Sequence, residues 1–394
     1  MQWIYLDNNA TTCPAPQVIS RVNQAQEQLW ANPSSVHRFG QMVRQQVELA
    51  RASVAKLIGA KPREIFFTSG GTESNNLALR GSRATMLFTS HAEHAAVREP
   101  AQQLEKSGCR LVMLKLNACG LVEPDTLQQA LAQHVTADDR PLVSLQWANN
   151  ETGMIQPISE LIAVAHNHEH RVAFHVDGTQ MPGKLPVNVH AIDADLFTLA
   201  AHKFHGPKGG GALYIRRGIR LEPQNLGGPQ ERETRGGTEN VPAILGMAVA
   251  ADLAYELVND TKKIAHQTKL RDQIETTLAQ AIPDLVINPS GLAMINKHQR
   301  LWNTTNIGFP KLEAEAILLM LSEKKVCASA GAACSSGSLE PSPVLLAIGV
   351  PPEVAHGSIR LSISRYTTQD EIDTACQIIV QVIAKLRKVS ANVI

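Results

Sequence analysis

The sequence predicts an α/β fold, a mostly parallel sheet with helices on both faces, plus a smaller α+β domain. Three observations carry this. Short apolar runs alternate with amphipathic helical patterns from Glu64 to Ile215. The residues with distinctive chemistry fall directly after those runs, where open parallel sheets place their sites. A helical stretch from about Pro242 to about Ala281, interrupted once or twice, then leads into a region of mixed pattern.

The strand candidates are Glu64 to Thr68, Ala84 to Thr89, Arg110 to Leu114, Pro141 to Gln146, Arg171 to Val176, Asp195 to Leu199 and Gly211 to Ile215. Gln41 to Ile58 reads as a helix, with Val43, Val47, Ala50, Val54 and Leu57 on one face and Gly59 as its stop. Pro242 suits a first helical position. Val286 to Ile394 reads as the mixed region. Its last helix opens on a Thr368/Glu371 capping box, with Ile372, Cys376, Ile379, Val382 or Ile383, and Leu386 on one face. The expected division is a large cofactor-binding domain over 14–260. A small domain of 1–13 and 261–394 would carry the cysteine loop.

Composition excludes several roles. The 394 residues carry 37 Lys+Arg against 36 Asp+Glu, a net charge of +1, with no basic stripe for nucleic acid. The N-terminus lacks a basic segment followed by an apolar one, so no secretory signal is expected. The longest apolar run, Val241 to Ala251, is cut by Asp252, so no membrane span is expected either. Six scattered cysteines without a CxxC pair argue against a disulfide scaffold or zinc site and fit a cytoplasmic protein without metal.

Lys203 ends the buried-strand pattern Leu196 to Ala200 within Ala201-His202-Lys203-Phe204-His205-Gly206. A lysine there suits a partly desolvated amine of lowered pKa, able to form a Schiff base. Asp177 ends the preceding apolar run. An amine and a carboxylate at neighbouring strand ends are what pyridoxal 5'-phosphate requires: one holds the aldehyde, the other keeps the ring nitrogen protonated. Ser69-Gly70-Gly71-Thr72-Glu73 lies between a strand and a helix; Gly71 and Thr72 there suit a phosphate, or else an ordinary turn with Thr72 as N-cap. His94 follows another strand and suits stacking on the ring and proton transfer, or a satisfied core histidine. The strand-end turn Trp147 to Gly153 offers an Asn amide that suits the cofactor's phenolate oxygen, or else is a plain Asn-rich turn; Gln180, three residues past Asp177, suits the same oxygen, and His202, beside Lys203, suits the phosphate. Cys334 sits among Gly, Ala and Ser, which suits an accessible nucleophilic thiol on a mobile loop. Arg360 starts an apolar strand and suits either a carboxylate clamp or an interdomain salt bridge.

Together these segments resemble the cysteine desulfurases of the NifS/IscS type, within the class-V aminotransferases of fold-type I. The likeness runs through Tyr5 to Thr12, Asn32 to His37, Thr68 to Leu77, Asn149-Asn150-Glu151, His175 to Gln180, His202-Lys203 and Arg235 to Thr238. Its most specific stretch is Ala333 to Ser342. The resemblance implies that Lys203 is the Schiff-base lysine, Asp177 pairs the ring nitrogen and His94 stacks on the ring. It implies that Asn150 and Gln180 hold the phenolate oxygen. Gly71, Thr72 and His202 would bind phosphate, joined by Thr238 across a homodimer. Asn32 and Arg360 would meet the substrate, L-cysteine. Cys334 would carry its sulfur as a persulfide to an acceptor protein, in iron–sulfur cluster biogenesis or another sulfur pathway. Selenocysteine lysis, cysteine β-elimination and aminotransfer are the alternatives on the same fold.

Two departures accompany the resemblance. Ala200 stands where the family has a phosphate-binding serine, which implies either a lower cofactor affinity or a substitute in Thr198 or a water. The chain also stops soon after its last helix, where housekeeping members have a longer tail that docks an iron–sulfur scaffold protein.

Overall fold

The computed structural model describes residues 3–289, 299–330 and 340–391. Its strands are β1 (Ile4–Tyr5), β2 (Ile65–Thr68), β3 (Met86–Ser90), β4 (Arg110–Leu114), β5 (Pro141–Gln146), β6 (Ala173–Asp177), β7 (Leu196–Ala200), β8 (Gly211–Ile215), β9 (Val286–Asn288), β10 (Thr304–Gly308), β11 (Val326–Cys327) and β12 (Ser358–Ser362). Seven of them form the central sheet in the order β2-β8-β7-β6-β5-β3-β4. The five from β4 to β7 run parallel, and β8 lies antiparallel to both β7 and β2. All seven sequence-derived strands are present, with ends shifted by up to two residues.

Burial explains why these strands show continuous apolar runs. β3, β5, β7 and β8 are buried at every position, as expected for a sheet covered on both faces. One side is packed by the helices Pro16–Gln28, Arg38–Leu57 and Val241–Val258. His37 caps the second of these by accepting from Gly40 N, so the helix starts at Arg38, three residues before the start read from periodicity.

The helix Val241–Val258 corrects one expectation. Asp252 does not cut it, and its length and apolarity match a membrane span. Two thirds of it is buried, however, against the two other helices, the position of a core helix. The long helical stretch breaks once, where Asp260 caps Thr261–Ala281 by accepting from Lys263 N.

A second core gathers Leu270, Ile274, Ile307, Phe309, Ile359, Ile372 and Ile379, and Ile4 and Leu6 join it from the other end of the chain. It is built on the antiparallel sheet β9-β10-β12 and the final helix Gln369–Ala391. The N-terminal segment is stitched to it through β1–β11 pairing and a bridge between Asp7 and Ser362.

Candidate active site

The parallel strands deliver their carboxyl ends to one edge. β7 runs into a short turn, Ala201–Lys203, and this aims Lys203 at the N-terminal segment. Its Nζ donates to Asn9 O at 2.6 Å and Ala10 O at 2.9 Å. On the adjacent strand, Asp177 is the last residue of β6 and is buried. Its Oδ1 accepts from Thr179 N at 3.0 Å and Thr179 Oγ1 at 2.5 Å, and its Oδ2 accepts from Asn75 Nδ2 at 2.8 Å. Three donors thus satisfy both oxygens of a buried carboxyl group.

His94 is the N-cap of the helix Ala95–Lys106, and its Nδ1 accepts from Ala96 N at 3.1 Å. That bond fixes the neutral tautomer with its proton on Nε2. Burial holds the ring below its ordinary pKa, and Asp177 opposes the shift while Lys203 adds to it. Behind it, Glu93 accepts from Ser90 Oγ and Gln146 N, and burial pushes its carboxyl up to about 8.

The helix Gly71–Gly81 opens at Gly70, which provides no side-chain cap, so Thr72 is a helical residue and not the N-cap. Its first turn faces a hollow of about 380 Å³ lined by Thr11, Gly70, Gly71, Thr72, His202 and Lys208. Uncapped N–H groups, a hydroxyl and a lysine make this an anion site. Gly211 permits the arrangement: a Cβ there would lie 2.5 Å from Gly70 Cα. His202 Nδ1 meets Thr11 Oγ1 at 3.2 Å, and burial lowers the ring to about 4. Thr198 does not replace the missing serine of position 200. It lies two residues deeper on β7, where its hydroxyl meets His175 Nε2 at 3.0 Å.

Gln180 donates through Nε2 to Asn9 O at 3.1 Å, and its Oε1 accepts from Lys184 Nζ. Asn149 spends its side chain on the turn, its Oδ1 accepting from Glu151 N and Thr152 N. Asn150 contributes its carbonyl, which accepts from Asn9 Nδ2 and Arg360 Nη1, both at 3.0 Å. Arg360 lies in the middle of β12, not at its start, and is buried. Its Nη2 binds Asp7 Oδ1 at 2.6 Å, while Nε is buried with no partner among the described residues. The salt bridge and the capacity for a further carboxylate therefore coexist in one guanidinium.

Lys203, Gln180, Asn150 and Arg360 thus converge on the segment from Asp7 to Ala10. His94 feels the charges of Asp177, Lys203 and Arg360, and Gly71, Thr72 and His202 line the hollow beside Ala10 and Thr11. Asn32 and Thr238 are exposed. Asn32 Oδ1 accepts from Ser34 N within its own loop, and Thr238 follows Arg235, whose Nε binds Glu73 Oε1 at 2.8 Å. Cys334 lies outside the described residues. Sequence reasoning missed Asn9, Asn75 and Lys184. Asn9 is the hub, bonded through its side chain to Asn150, Thr304 and Asn303. Asn75 was legible only as one residue of a polar helix start. Lys184 had no local signal.

The Aminotransferase class-V family model matches residues 4–374. A cysteine desulfurase of Trichormus azollae is 44% identical over 99% of this chain and 95% of its own length. The cysteine desulfurase IscS of Dictyoglomus turgidum is 43% identical over 98% of this chain and 96% of its own. A solved NifS-like protein superposes with a TM-score of 0.88 at 32% identity, covering 98% of this chain and all of that one. Fold, strand-end site and full-length similarity agree: the chain belongs to the class-V aminotransferases, among the cysteine desulfurases of the NifS/IscS type.

Proposed function

We propose that this chain converts L-cysteine to L-alanine and passes the sulfur, as a persulfide on Cys334, to an acceptor protein. The observation that carries the reading is the meeting of Lys203 with Asp177 and His94 beside an uncapped helix N-terminus. Class-V aminotransferases generally use pyridoxal phosphate, and the residues fit it. Asp177 is a buried carboxylate held by three donors, and the hollow at Gly71 and Thr72 suits a phosphate.

Lys203 would hold the cofactor's aldehyde carbon and Asp177 its ring nitrogen. His94 would lie on the ring, and Asn150 and Gln180 would bind the phenolate oxygen. Gly71, Thr72 and His202 would take the phosphate, with Thr238 of the partner subunit in a homodimer. When bound, pyridoxal phosphate supplies an electron sink conjugated to the substrate Cα. Arg360 and Asn32 would orient the substrate. The Arg360 guanidinium is already fixed by Asp7 and Asn150 O, and its Nε edge remains for the carboxylate. Lys203 would take the Cα proton. The Cys334 thiolate then attacks the substrate sulfur. An S–S bond forms, the C–S bond breaks, and its electron pair stays with the three-carbon framework, which is protonated and leaves as alanine. His94, neutral with its proton on Nε2, would offer that N–H to the reacting groups as a hydrogen-bond donor.

The two hydrophobic cores support a division into 14–260 and 1–13 with 261–394, the cysteine loop belonging to the smaller part. A sulfur-acceptor protein and a cytoplasmic location complete the reading.

Anaerobic turnover of L-cysteine with pyridoxal phosphate and a thiol reductant tests it. Equal yields of alanine and sulfide are expected. Pyruvate and ammonia instead would establish β-elimination and remove Cys334 from the reaction.

A further inference from the structure

Lys184 is a buried lysine that the reaction above does not use. Its backbone is fixed from two sides. Gly183 has a φ of +75° and would clash as any other residue, a Cβ lying 2.9 Å from that of Phe204, next to Lys203. Trp302 Nε1 donates to Lys184 O at 2.7 Å. The amine is therefore delivered to one place, and there it donates to Gln180 Oε1. The charged groups acting on it are Lys203 and Arg360, both cationic, and it acts in turn on the His202 and His205 imidazoles. A lysine kept buried only for structure is ordinarily paired with a carboxylate; this one is aimed at an amide.

The geometry gives the amide a direction. Gln180 Nε2 donates to Asn9 O, the same carbonyl that accepts from Lys203 Nζ at 2.6 Å. One oxygen therefore joins the Gln180 amide to the Lys203 amine. With Lys184 on the acceptor edge, the NH₂ edge is the one turned toward Lys203. We infer that Lys184 is a positioning residue: it fixes the Gln180 carboxamide so that its second N–H is ready to donate to the cofactor's phenolate oxygen. This rests on the cofactor reading above and adds to it a residue that never touches the cofactor.

The test is the visible absorbance of the cofactor-loaded protein titrated against pH. A donor to the phenolate favours the ionised chromophore and lowers its pKa. Lys184→Met releases the amide, so the chromophore pKa rises by about one unit, a tenfold change in its ionisation constant. Gln180→Leu gives the same rise, and the double variant rises no further than either. Lys184→Arg, which keeps a donor, restores most of the original value. A wild-type titration in Lys184→Met, or shifts that add in the double variant, overturns the inference. So does a lower melting temperature with an unshifted titration, which marks the lysine as structural. Should the methionine variant fail to fold, Lys184→Leu, which also lacks a donor, replaces it with the same expected shift. A wild-type protein that gains no visible band with pyridoxal phosphate sinks the cofactor reading itself, and this inference with it.

Discussion

The two walls of the site are built differently. On the cofactor wall, each group stands directly after its own strand: His94 after β3, Asp177 at the end of β6, Lys203 after β7. Its supports are short in sequence, such as the Thr179–Asp177 and Ala96–His94 bonds, each two residues apart. The substrate wall is assembled from distant segments. Arg360 reaches Asp7 across 353 residues, Ser342 Oγ donates to Glu151 Oε2 across 191, and Asn9 Nδ2 donates to Thr304 Oγ1 across 295. A group on the first wall is positioned by the sheet and can be lost alone. A group on the second is positioned by buried polar partners, so its loss strands another group.

The variants that sharpen this contrast begin with Lys203→Ala. It removes both anchor and base from the sheet-built wall. Desulfuration should fall by at least about 10³-fold while the melting temperature and far-UV circular dichroism stay near wild type. Asn9→Ala should do the reverse. It strands Asn303, Thr304 and Asn150, and should cost about 3 kcal/mol of stability, read by urea unfolding. Equal loss of stability in the two variants would erase the distinction between the walls.

Arg360→Lys tests the far wall's chemistry. The charge survives but the fork is lost, so KM for L-cysteine should rise about tenfold with a smaller change in kcat. An unchanged KM would leave Arg360 as the partner of Asp7 alone.

Glu93 gives the pH dependence. Its folded carboxyl titrates at about 8, above the ordinary glutamate value of 4.5, because burial favours the neutral form. The folded state therefore binds the extra proton between those values, so this group's contribution to stability falls as pH rises through that window. Glu93→Gln should flatten the decline in melting temperature from pH 6 to 9. An equally steep decline would assign the dependence elsewhere.

The smallest effect concerns the phosphate. Thr198 is committed to His175, so position 200 offers no hydroxyl. Ala200→Ser should tighten pyridoxal phosphate binding a few-fold, about the value of one added hydrogen bond. Unchanged affinity would mean that the hollow already satisfies its anion.

Legibility follows the same divide. Lys203, Asp177, His94 and Thr72 could be read because a strand period and a turn lie beside each of them in the sequence. Thr198 was misjudged because a period of two puts it on the face of Ala200, and only the packing reveals that His175 takes its hydroxyl. Asn9 and Lys184 were invisible because their partners come from elsewhere in the chain or from side-chain direction. The helix Val241–Val258 was underrated because one aspartate does not offset the burial of its remaining faces.

The most direct test of the account is borohydride reduction of the cofactor-loaded protein followed by peptide mass mapping. The account predicts a pyridoxyl group on Lys203 and none on Lys184, its buried neighbour. A label on Lys184, or no label on a lysine at all, would contradict it.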